Sequence, residues 1–389
     1  MIKFDNTEIA FKSKSNSQLK KAHFLFKVMG SPAMVKIGNS LTKIALGIHF
    51  PVAWAAKPTL YAHFVGGETI VDCNKSVKAL GEYKVKAILD YSVEGKDDDE
   101  DIEKALAETI NSIKNAGQNP NIPFAVFKPT AFGKSQILEK ASDGVDLNEN
   151  EQKEVQKFKD RINTLCKTAY EADIPILVDA EDTWFQNIFD VVVTEMMEKY
   201  NKEKAIVFNT YQMYRWDRLE ILKQAHKDAT EGNYFLGAKF VRGAYMEKER
   251  ERAQQKGYKD PIQPDKDATD RDYNLALKYC IENIENITIF NGTHNEYSSI
   301  YMAELMQKHN IAKNDPRCWF SQLYGMSDNI SFNLAEAGYN VAKYLPYGPV
   351  RHVLPYLLRR AEENTSVKGQ SGRELQLIEA EVKRRKNQK

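Results

Sequence analysis

Eight short apolar runs of β type recur along the chain, and stretches with helical periodicity separate them. Each run is rich in β-branched and aromatic residues and nearly continuous in apolar character, which is typical of strands covered on both faces of a parallel sheet. The runs are Lys86–Tyr91, Pro123–Lys128, Ile174–Ala180, Ala205–Thr210, Phe235–Gly243, Ile287–Asn291, Cys318–Leu323 and Val341–Leu345. Eight such strands alternating with helices predict an α/β fold of the (βα)8 barrel type.

The stretches between the runs have the signals of helices. Asp101–Ala116 opens with acidic residues, which suit a helix N-terminus, and Arg351–Glu363 predicts a helix after the last run. Ser371 with Glu374 three residues later is a capping-box pattern that predicts the start of a final helix. A doubly wound open sheet is the alternative, but no GxGxxG motif follows a strand and no P-loop occurs.

The domain boundary is set by where the alternation begins. Residues 1–60 do not fit it and are predicted to form a helical N-terminal appendage, and residues 61–389 are predicted to form the barrel with its C-terminal helix. No run of about 18 uncharged apolar residues occurs, so we predict no transmembrane helix.

Charge and cysteine use exclude several classes of function. The 55 Lys and Arg residues are balanced by 54 Asp and Glu residues, a net charge of +1, which argues against nucleic acid as a partner. The four cysteines lie far apart, form no CxxC motif and are predicted to be reduced, buried thiols. The histidines lack the spacing of metal ligands, so no metal site is predicted.

Polar or ionisable residues stand at or just after the end of nearly every predicted strand. Barrel enzymes build their sites from the C-terminal ends of strands, so these residues are predicted to converge into a mixed-charge pocket. The alternative is that several of them are ordinary loop residues. The strand-end residues are Asp90, Lys128, Asp179, Gln212, Arg242, His294, Tyr324 and Tyr344.

Two adjacent arginines, Arg359 and Arg360, lie in the helix after the last strand. A pair of guanidinium groups suits bidentate binding of a carboxylate, and Glu363, three and four residues further on, can pair with either arginine. A solvated surface helix is the alternative interpretation of this segment.

Several of these segments together resemble proline dehydrogenases, also called proline oxidases. The resemblance rests on motifs that follow one another in order over about residues 60 to 365. They are Phe64–Thr69 with Leu89-Asp90, Val178–Glu181, Gly237–Arg250 (GAKFVRGAYMEKER), Gly292–Asn295, and residues 321–364 with the arginine pair. The pattern is closer to the monofunctional, mitochondrial-like branch than to the bifunctional bacterial one, because no aldehyde dehydrogenase half follows the barrel.

The resemblance implies a distorted (βα)8 barrel that binds FAD non-covalently and oxidises L-proline to 1-pyrroline-5-carboxylate, with electrons passed to a membrane quinone. It implies that Lys128, Arg359 and Arg360 hold the proline carboxylate, and that Asp179 lies close to substrate or flavin. Tyr245, Leu323 and Tyr344 would shape the ring pocket. The residues implied around FAD are Gln212, Lys239, Val241, Arg242, Gly243, Ala244, Thr269, His294, Asn295 and Glu363.

Two positions depart from the pattern of many bacterial members of the family. Lys239 stands where those members have Arg, so Lys239 and Arg242 are both candidates for the contact with flavin N5, and Met246 replaces a Trp. The resemblance also implies a location in the bacterial cytoplasm with peripheral contact at the inner membrane, or on the matrix side of mitochondria in a eukaryote.

Three other functions fit parts of the same pattern. One is a hydroxyproline dehydrogenase, although the bulky Tyr344 favours unsubstituted proline. Another is a flavin-free, proline-binding sensor on the same scaffold. The third is a different FAD barrel such as methylenetetrahydrofolate reductase, which has no need of paired arginines in the last helix.

Overall fold

The computed structural model describes residues 2–31, 33–36, 38, 57–92, 97–366 and 370–388, and in the range 361–371 it describes the backbone of the helices without the side chains. All structural statements below concern these residues.

Eight strands form one sheet, and each predicted β-type run overlaps one of them. The strands are β1 (Lys86–Tyr91), β2 (Ala125–Phe127), β3 (Ile176–Val178), β4 (Val207–Gln212), β5 (Leu236–Val241), β6 (Ile287–Gly292), β7 (Cys318–Leu323) and β8 (Val341–Tyr347). Their order in the sheet is β1-β8-β7-β6-β5-β4-β3-β2, and every pair with a defined register is parallel. This order confirms the predicted (βα)8 barrel class.

Helices alternate with the strands as the periodicity predicts. The first are α1 (Thr7–Ala10), α2 (Asn16–Met29), a π-helical turn (Lys57–Tyr61), α3 (Ala62–Phe64), α4 (Ile70–Gly81) and α5 (Asp99–Gln118). A 3₁₀ turn (Pro129–Phe132), α6 (Ser135–Ser142), α7 (Glu149–Glu171), α8 (Thr183–Tyr200), α9 (Arg218–Glu231) and α10 (Met246–Lys256) follow. The last are α11 (Lys266–Glu282), α12 (Glu296–Lys308), α13 (Asp328–Glu336), α14 (Val350–Ser366) and α15 (Gln370–Asn387).

The chain divides into two compact units that do not follow the predicted boundary at residue 60. One unit contains Met1–Glu94 with Gln322–Lys389, and the other contains Gly95–Ser321. In the first unit, side chains of α2, α14 and α15 share one buried apolar cluster that includes Leu19, Leu357 and Ile378. The division into a 1–60 appendage and a 61–389 barrel stays a prediction.

The predicted cap of the last helix is wrong. Helix α15 already includes Gln370, so Ser371 lies inside the helix and is not its N-cap. Glu374 is 5% exposed, and its carboxylate accepts a hydrogen bond from the backbone N–H of Ser327 in a distant turn. In a capping box the Glu374 carboxylate would bind the backbone N–H of Ser371, but here it binds Ser327 instead.

The four cysteines are buried, as predicted. Burial raises the pKa of the Cys73 thiol to about 12 and that of the Cys318 thiol likewise to about 12, so both are protonated at neutral pH. Within the described ranges, no helix combines the length and the apolar character that a membrane crossing needs.

Candidate active site

One carboxylate and two ammonium groups meet near the C-terminal ends of β2, β3 and β5. Phe127 of β2 pairs with Val178 of β3, so Lys128 and Asp179 leave the sheet at the same level. The Lys128 Nζ donates to the Asp179 Oδ2 over 3.4 Å, and the Lys239 Nζ donates to the Asp179 Oδ1. We call these three residues the Asp179 cluster. Lys128 and Asp179 lie together as predicted from the ends of their strands, whereas the basic residue that β5 contributes is Lys239, inside the strand, and not Arg242 at its end.

The charges of the Asp179 cluster keep its carboxylate ionised. Burial by itself raises the pKa of Asp179, but the ammonium groups of Lys239 and Lys128 outweigh burial and hold that pKa below its ordinary value. The Lys239 side chain is only 5% exposed, whereas that of Lys128 is 27% exposed. The Asp179 carboxylate thus contacts two ammonium groups, and donors of this kind suit an anionic ligand.

Glu181, two residues beyond Asp179, connects three strand ends. Its carboxylate accepts hydrogen bonds from the Thr130 backbone N–H at 3.0 Å and from the Thr130 hydroxyl at 2.7 Å. Its backbone carbonyl accepts one from the Gln212 Nε2 at 2.9 Å. The segment after β3 is therefore held to the segments after β2 and β4, which fixes the backbone that carries Asp179.

The surroundings of Glu181 predict a stability that depends on pH. Burial raises the pKa of Glu181 to about 7 in the folded protein, against about 4.3 for an unperturbed glutamate. The folded state then binds this proton more tightly than the unfolded state, so the stabilisation is complete below about pH 4.3 and is lost as the pH rises towards 7. We expect the free energy of unfolding of the wild type, measured relative to Glu181→Gln by urea titration, to fall between pH 5 and pH 8.

The exposed Glu231 on α9 provides the control for this comparison. A Glu231→Gln variant should show the same difference from the wild type at both pH values. An equal difference at pH 5 and pH 8 for Glu181→Gln would contradict the assignment of a raised pKa to Glu181.

Gln212 has an unsatisfied acceptor that fits a bound cofactor. It ends β4, is 1% exposed, and lies beside Val241 in the register of β4 and β5. Its Oε1 is buried and meets no hydrogen-bond donor among the described residues. A buried acceptor left unpaired is unfavourable by about 1–3 kcal/mol, so a bound group with an N–H, such as a flavin ring, would satisfy it.

Arg242, directly after β5, is bound by the protein through all of its guanidinium nitrogens. The Nε donates to Asp270 at 2.7 Å, the Nη1 to the Thr293 hydroxyl at 2.7 Å, and the Nη2 to the Ser298 hydroxyl at 3.0 Å. The guanidinium carbon also lies 4.3 Å from the centre of the Tyr273 ring. Arg242 therefore ties the end of β5 to α11 and to the segment after β6.

The Gly243-Ala244-Tyr245 segment leads from β5 into α10. Gly243 has a φ of +122°, and a Cβ at this position would lie 2.5 Å from the Tyr214 ring. Only glycine fits this conformation and this spacing, so Gly243 lets the Tyr214 ring pack directly against the backbone. The Lys248 Nζ lies 5.8 Å from the centre of the Tyr245 ring.

Two of the residues implied to lie around FAD have structural partners of their own. The Thr269 hydroxyl donates to the backbone carbonyl of Asp265 at 3.2 Å, within the first turn of α11. The Asn295 side chain caps α12 by accepting from the Ser298 N–H at 3.0 Å, and His294 directly precedes it. Their assignment to FAD stays a prediction.

The remaining predicted residues belong to the unit that contains both termini. Leu323 ends β7, and Tyr344 in β8 is 8% exposed; the Tyr324 N–H donates to the Tyr344 carbonyl at 2.8 Å. Arg359 and Arg360 lie in α14, with the Arg360 guanidinium carbon 5.3 Å from the centre of the Tyr356 ring. Glu363 lies in the same helix, outside the described side chains, so its pairing with either arginine stays a prediction.

The sequence of this chain has a clear set of relatives. The sequence model of the proline dehydrogenase family matches residues 73–373. The chain belongs to the proline dehydrogenase family. It is thus an oxidoreductase that oxidises proline, as the motif resemblance implied.

The similar proteins include a mitochondrial enzyme and a bacterial protein. Proline dehydrogenase 1, mitochondrial, of Drosophila melanogaster is 42% identical over 246 residues, which cover 60% of this chain and 36% of the fly protein. The carbapenem antibiotics biosynthesis protein CarD of Pectobacterium carotovorum is 34% identical over 324 residues, 83% of each chain. The chain thus spans little more than a third of the fly protein.

A solved structure supports the fold. Proline utilization A from Bdellovibrio bacteriovorus, inactivated by N-propargylglycine, superposes with a TM-score of 0.73 at 22% identity, over 92% of this chain and 38% of that chain. At this identity the likeness concerns the fold alone, and it agrees with the barrel topology described above.

Several residues that build the site of this proline dehydrogenase were not assigned from the sequence. Thr130 and Glu181 fasten the segment with Asp179, and Asp270 and Thr293 fasten Arg242. Glu181 and Thr293 lie in quoted motifs and Asp270 follows Thr269, so these three were within reach of motif reasoning. The pairings themselves were not, since no local pattern joins positions 130 and 181 or 242 and 293.

Proposed function

We propose that the enzyme oxidises L-proline to 1-pyrroline-5-carboxylate with bound FAD as hydride acceptor and passes the electrons to a quinone. The observation that carries this proposal is the Asp179 cluster, in which two lysines meet one aspartate near the strand ends. Such a site suits the carboxylate of a small amino acid. When bound, FAD would supply an acceptor for the hydride at N5 and would later release the electrons to the quinone.

Lys128, Arg359 and Arg360 would hold the proline carboxylate. The arginines provide bidentate donors, and the ammonium of Lys128 provides a third positive charge. Fixing the carboxylate orients the ring, so that the carbon that loses the hydride faces its acceptor. The same positive charges favour loss of the proton from the ring amine, which must precede the departure of the hydride.

Lys239 is the better candidate for the cation beside flavin N5. All three guanidinium nitrogens of Arg242 already donate to Asp270, Thr293 and Ser298, so that group serves the scaffold. The Lys239 ammonium instead belongs to the Asp179 cluster with Lys128, the proposed carboxylate ligand. Through the shared carboxylate of Asp179, Lys239 would connect the part of the site that binds the flavin with the part that binds the proline carboxylate.

Gln212, Val241, Gly243 and Ala244 would line the flavin. The buried Oε1 of Gln212 would accept a hydrogen bond from the ring. The similarity to mitochondrial enzymes supports a place on the matrix side of the inner membrane in a eukaryote, or peripheral contact with the inner membrane in a bacterium.

The proposal is tested by anaerobic titration of the purified protein with L-proline. We expect a yellow protein whose flavin absorbance bleaches as proline is added and returns when a soluble quinone is supplied. Release of FAD on denaturation identifies the cofactor. A colourless protein that still binds proline would favour the flavin-free sensor, and a flavin that proline does not bleach would contradict the proposed reaction.

The bulk of Tyr344 predicts a preference for proline over hydroxyproline. We expect kcat/KM for proline to exceed that for hydroxyproline, and Tyr344→Ser to shift the ratio towards hydroxyproline by roughly 10- to 100-fold because a pocket shaped by tyrosine gains room. Steady-state kinetics with both substrates measure this. Tyr297→Ser on α12, where the tyrosine is 64% exposed, should leave the ratio unchanged. Equal or better turnover of hydroxyproline by the wild type would contradict the preference.

A further inference from the structure

The turn between β7 and α13, residues 323–328, is held by partners from distant parts of the chain. Gly325 has a φ of +81° and Ser327 a φ of +50°, so two of its residues adopt the left-handed conformation. The His63 Nε2 lies 2.8 Å from the Gly325 carbonyl oxygen. Burial lowers the pKa of His63 to about 4, so the ring is neutral at pH 7 and its Nε2–H donates to that carbonyl.

A cluster of four ionisable residues, three of them buried and one partly buried, surrounds this turn. The Lys343 Nζ donates to the Asp328 Oδ1 at 2.7 Å and contacts the backbone carbonyl oxygens of Met326 and, at 3.5 Å, Leu323. The Lys14 Nζ lies 3.0 Å from the Asp328 Oδ2, and the Glu374 carboxylate accepts from the Ser327 N–H. We call Lys14, Asp328, Lys343 and Glu374 the Asp328 cluster.

Burial makes these contacts strong. The side chains of Lys343 and Asp328 are 1% and 7% exposed, so each charge depends on its partners for stabilisation. Burial by itself raises the pKa of Asp328, but Lys14 and Lys343 outweigh it and hold that pKa well below its ordinary value. Asp328 is therefore ionised at neutral pH and binds both lysines.

The Asp328 cluster lies next to two residues that the proposed function places in the ring pocket. Lys343 immediately precedes Tyr344 in β8, and its ammonium contacts the carbonyl of Leu323 at the end of β7. The backbone bond from Tyr324 N–H to the Tyr344 carbonyl joins the same two strand ends. A single buried cation thus sets the spacing between the segments that carry Leu323 and Tyr344.

We propose that the Asp328 cluster positions Leu323 and Tyr344 for proline binding, so that the N-terminal segment through Lys14 and the C-terminal helix through Glu374 are parts of the catalytic unit. The inference rests on the proposed function, because that function makes Leu323 and Tyr344 pocket residues. The members of the cluster are positioning residues: they act through the turn and have no assigned contact with substrate.

Two lysines of the N-terminal segment pair with the two ends of α13 and provide a matched comparison for the test. Lys14 pairs with Asp328 at the start of the helix, whereas Lys12 pairs with Glu336 at its end, where the Glu336 side chain is 53% exposed. Lys14→Met and Lys12→Met therefore remove equivalent charges from the same segment, one beside a buried carboxylate and one beside an exposed carboxylate. Glu374→Met and Glu379→Met form a second pair on α15, since Glu379 meets His23 with its side chain 56% exposed.

We expect Lys14→Met and Glu374→Met to raise the KM for proline by roughly 3- to 30-fold, with the KM for the quinone acceptor unchanged, because a displaced turn misplaces the pocket and not the acceptor site. Lys14→Arg should restore most of the affinity, since it keeps the charge. Lys12→Met and Glu379→Met should resemble the wild type. Full-length protein that retains bound flavin is used throughout.

Hydrogen exchange gives a second readout that needs no substrate. The peptide that covers residues 323–328 should exchange at least about 10-fold faster in Lys14→Met than in Lys12→Met. If exchange and the KM for proline are the same in both variants, the positioning role is wrong. A different result is that exchange differs between the variants but proline bleaches no flavin even in the wild type. The proposed reaction is then wrong, and so is the role of the cluster in proline binding, although the cluster still orders the turn.

Discussion

Replacement of Arg359 or Arg360 by methionine raises the KM for proline by about 10- to 1,000-fold, as expected for a charge-assisted contact of roughly 1.5–4 kcal/mol left unmade. Both arginines lie in α14, and methionine keeps much of the side-chain volume while it removes the charge and the donors. Because these contacts hold the substrate in the ground state as well as in the transition state, kcat should fall less than kcat/KM. Steady-state kinetics with proline as the varied substrate measure the effect.

Arg351 is the control for this experiment, since it lies in the same helix and is exposed. Arg351→Met should keep the KM of the wild type. Kinetics like those of the wild type in both Arg359→Met and Arg360→Met would remove the carboxylate clamp from the proposed mechanism and would revive the interpretation of a solvated surface helix.

Replacement of Asp179 by asparagine destabilises the fold and lowers activity together. The change removes the carboxylate charge that pairs with the ammonium groups of Lys239 and Lys128, and breaking a buried ion pair from one side costs about 3–5 kcal/mol. Since the pKa of Asp179 is depressed, its stabilisation is present at neutral pH and is lost as the pH falls below about 4. The free energy of unfolding measured by urea titration at pH 7 gives the size of the loss.

The same variant should lower kcat/KM for proline by roughly 10- to 1,000-fold, because Lys128 and Lys239 lose the carboxylate that orients them. Asp228→Asn on α9 is the control, since Asp228 is exposed and its replacement should change stability by no more than about 0.5 kcal/mol. Stability within that range for Asp179→Asn would show that the two lysines do not depend on Asp179.

Residues at strand ends could be predicted from the sequence, whereas contacts between distant segments could not. Lys128 and Asp179 were found because each lies at the end of a β-type run, and parallel strands bring their C-terminal ends to one edge of the sheet. The choice between Lys239 and Arg242 was open in the sequence, where both are basic residues of one motif. The proposal in favour of Lys239 depends on Asp270, Thr293 and Ser298, which engage Arg242 only after α11 and the segment following β6 have packed against β5.

The capping-box prediction failed for a related reason. Ser371 and Glu374 have the spacing of a local cap, but Glu374 is buried against Ser327, which lies 47 residues earlier in the chain. A local motif competes with any tertiary partner that burial brings near, and a buried carboxylate binds the donor that is also buried. Sequence spacing contains no information about that competition.

The sequence by itself determined the eight strands, their alternation with helices, the barrel class and the family, because periodicity, strand ends and ordered motifs are properties of neighbouring residues. Only the tertiary structure decided which charges meet: Lys14, Asp328, Lys343 and Glu374 are separated by up to 360 residues yet share one buried site. The physical reason is that a strand or helix forms from local preferences, whereas a buried charge is stable only beside the partners that packing of the whole chain brings to it.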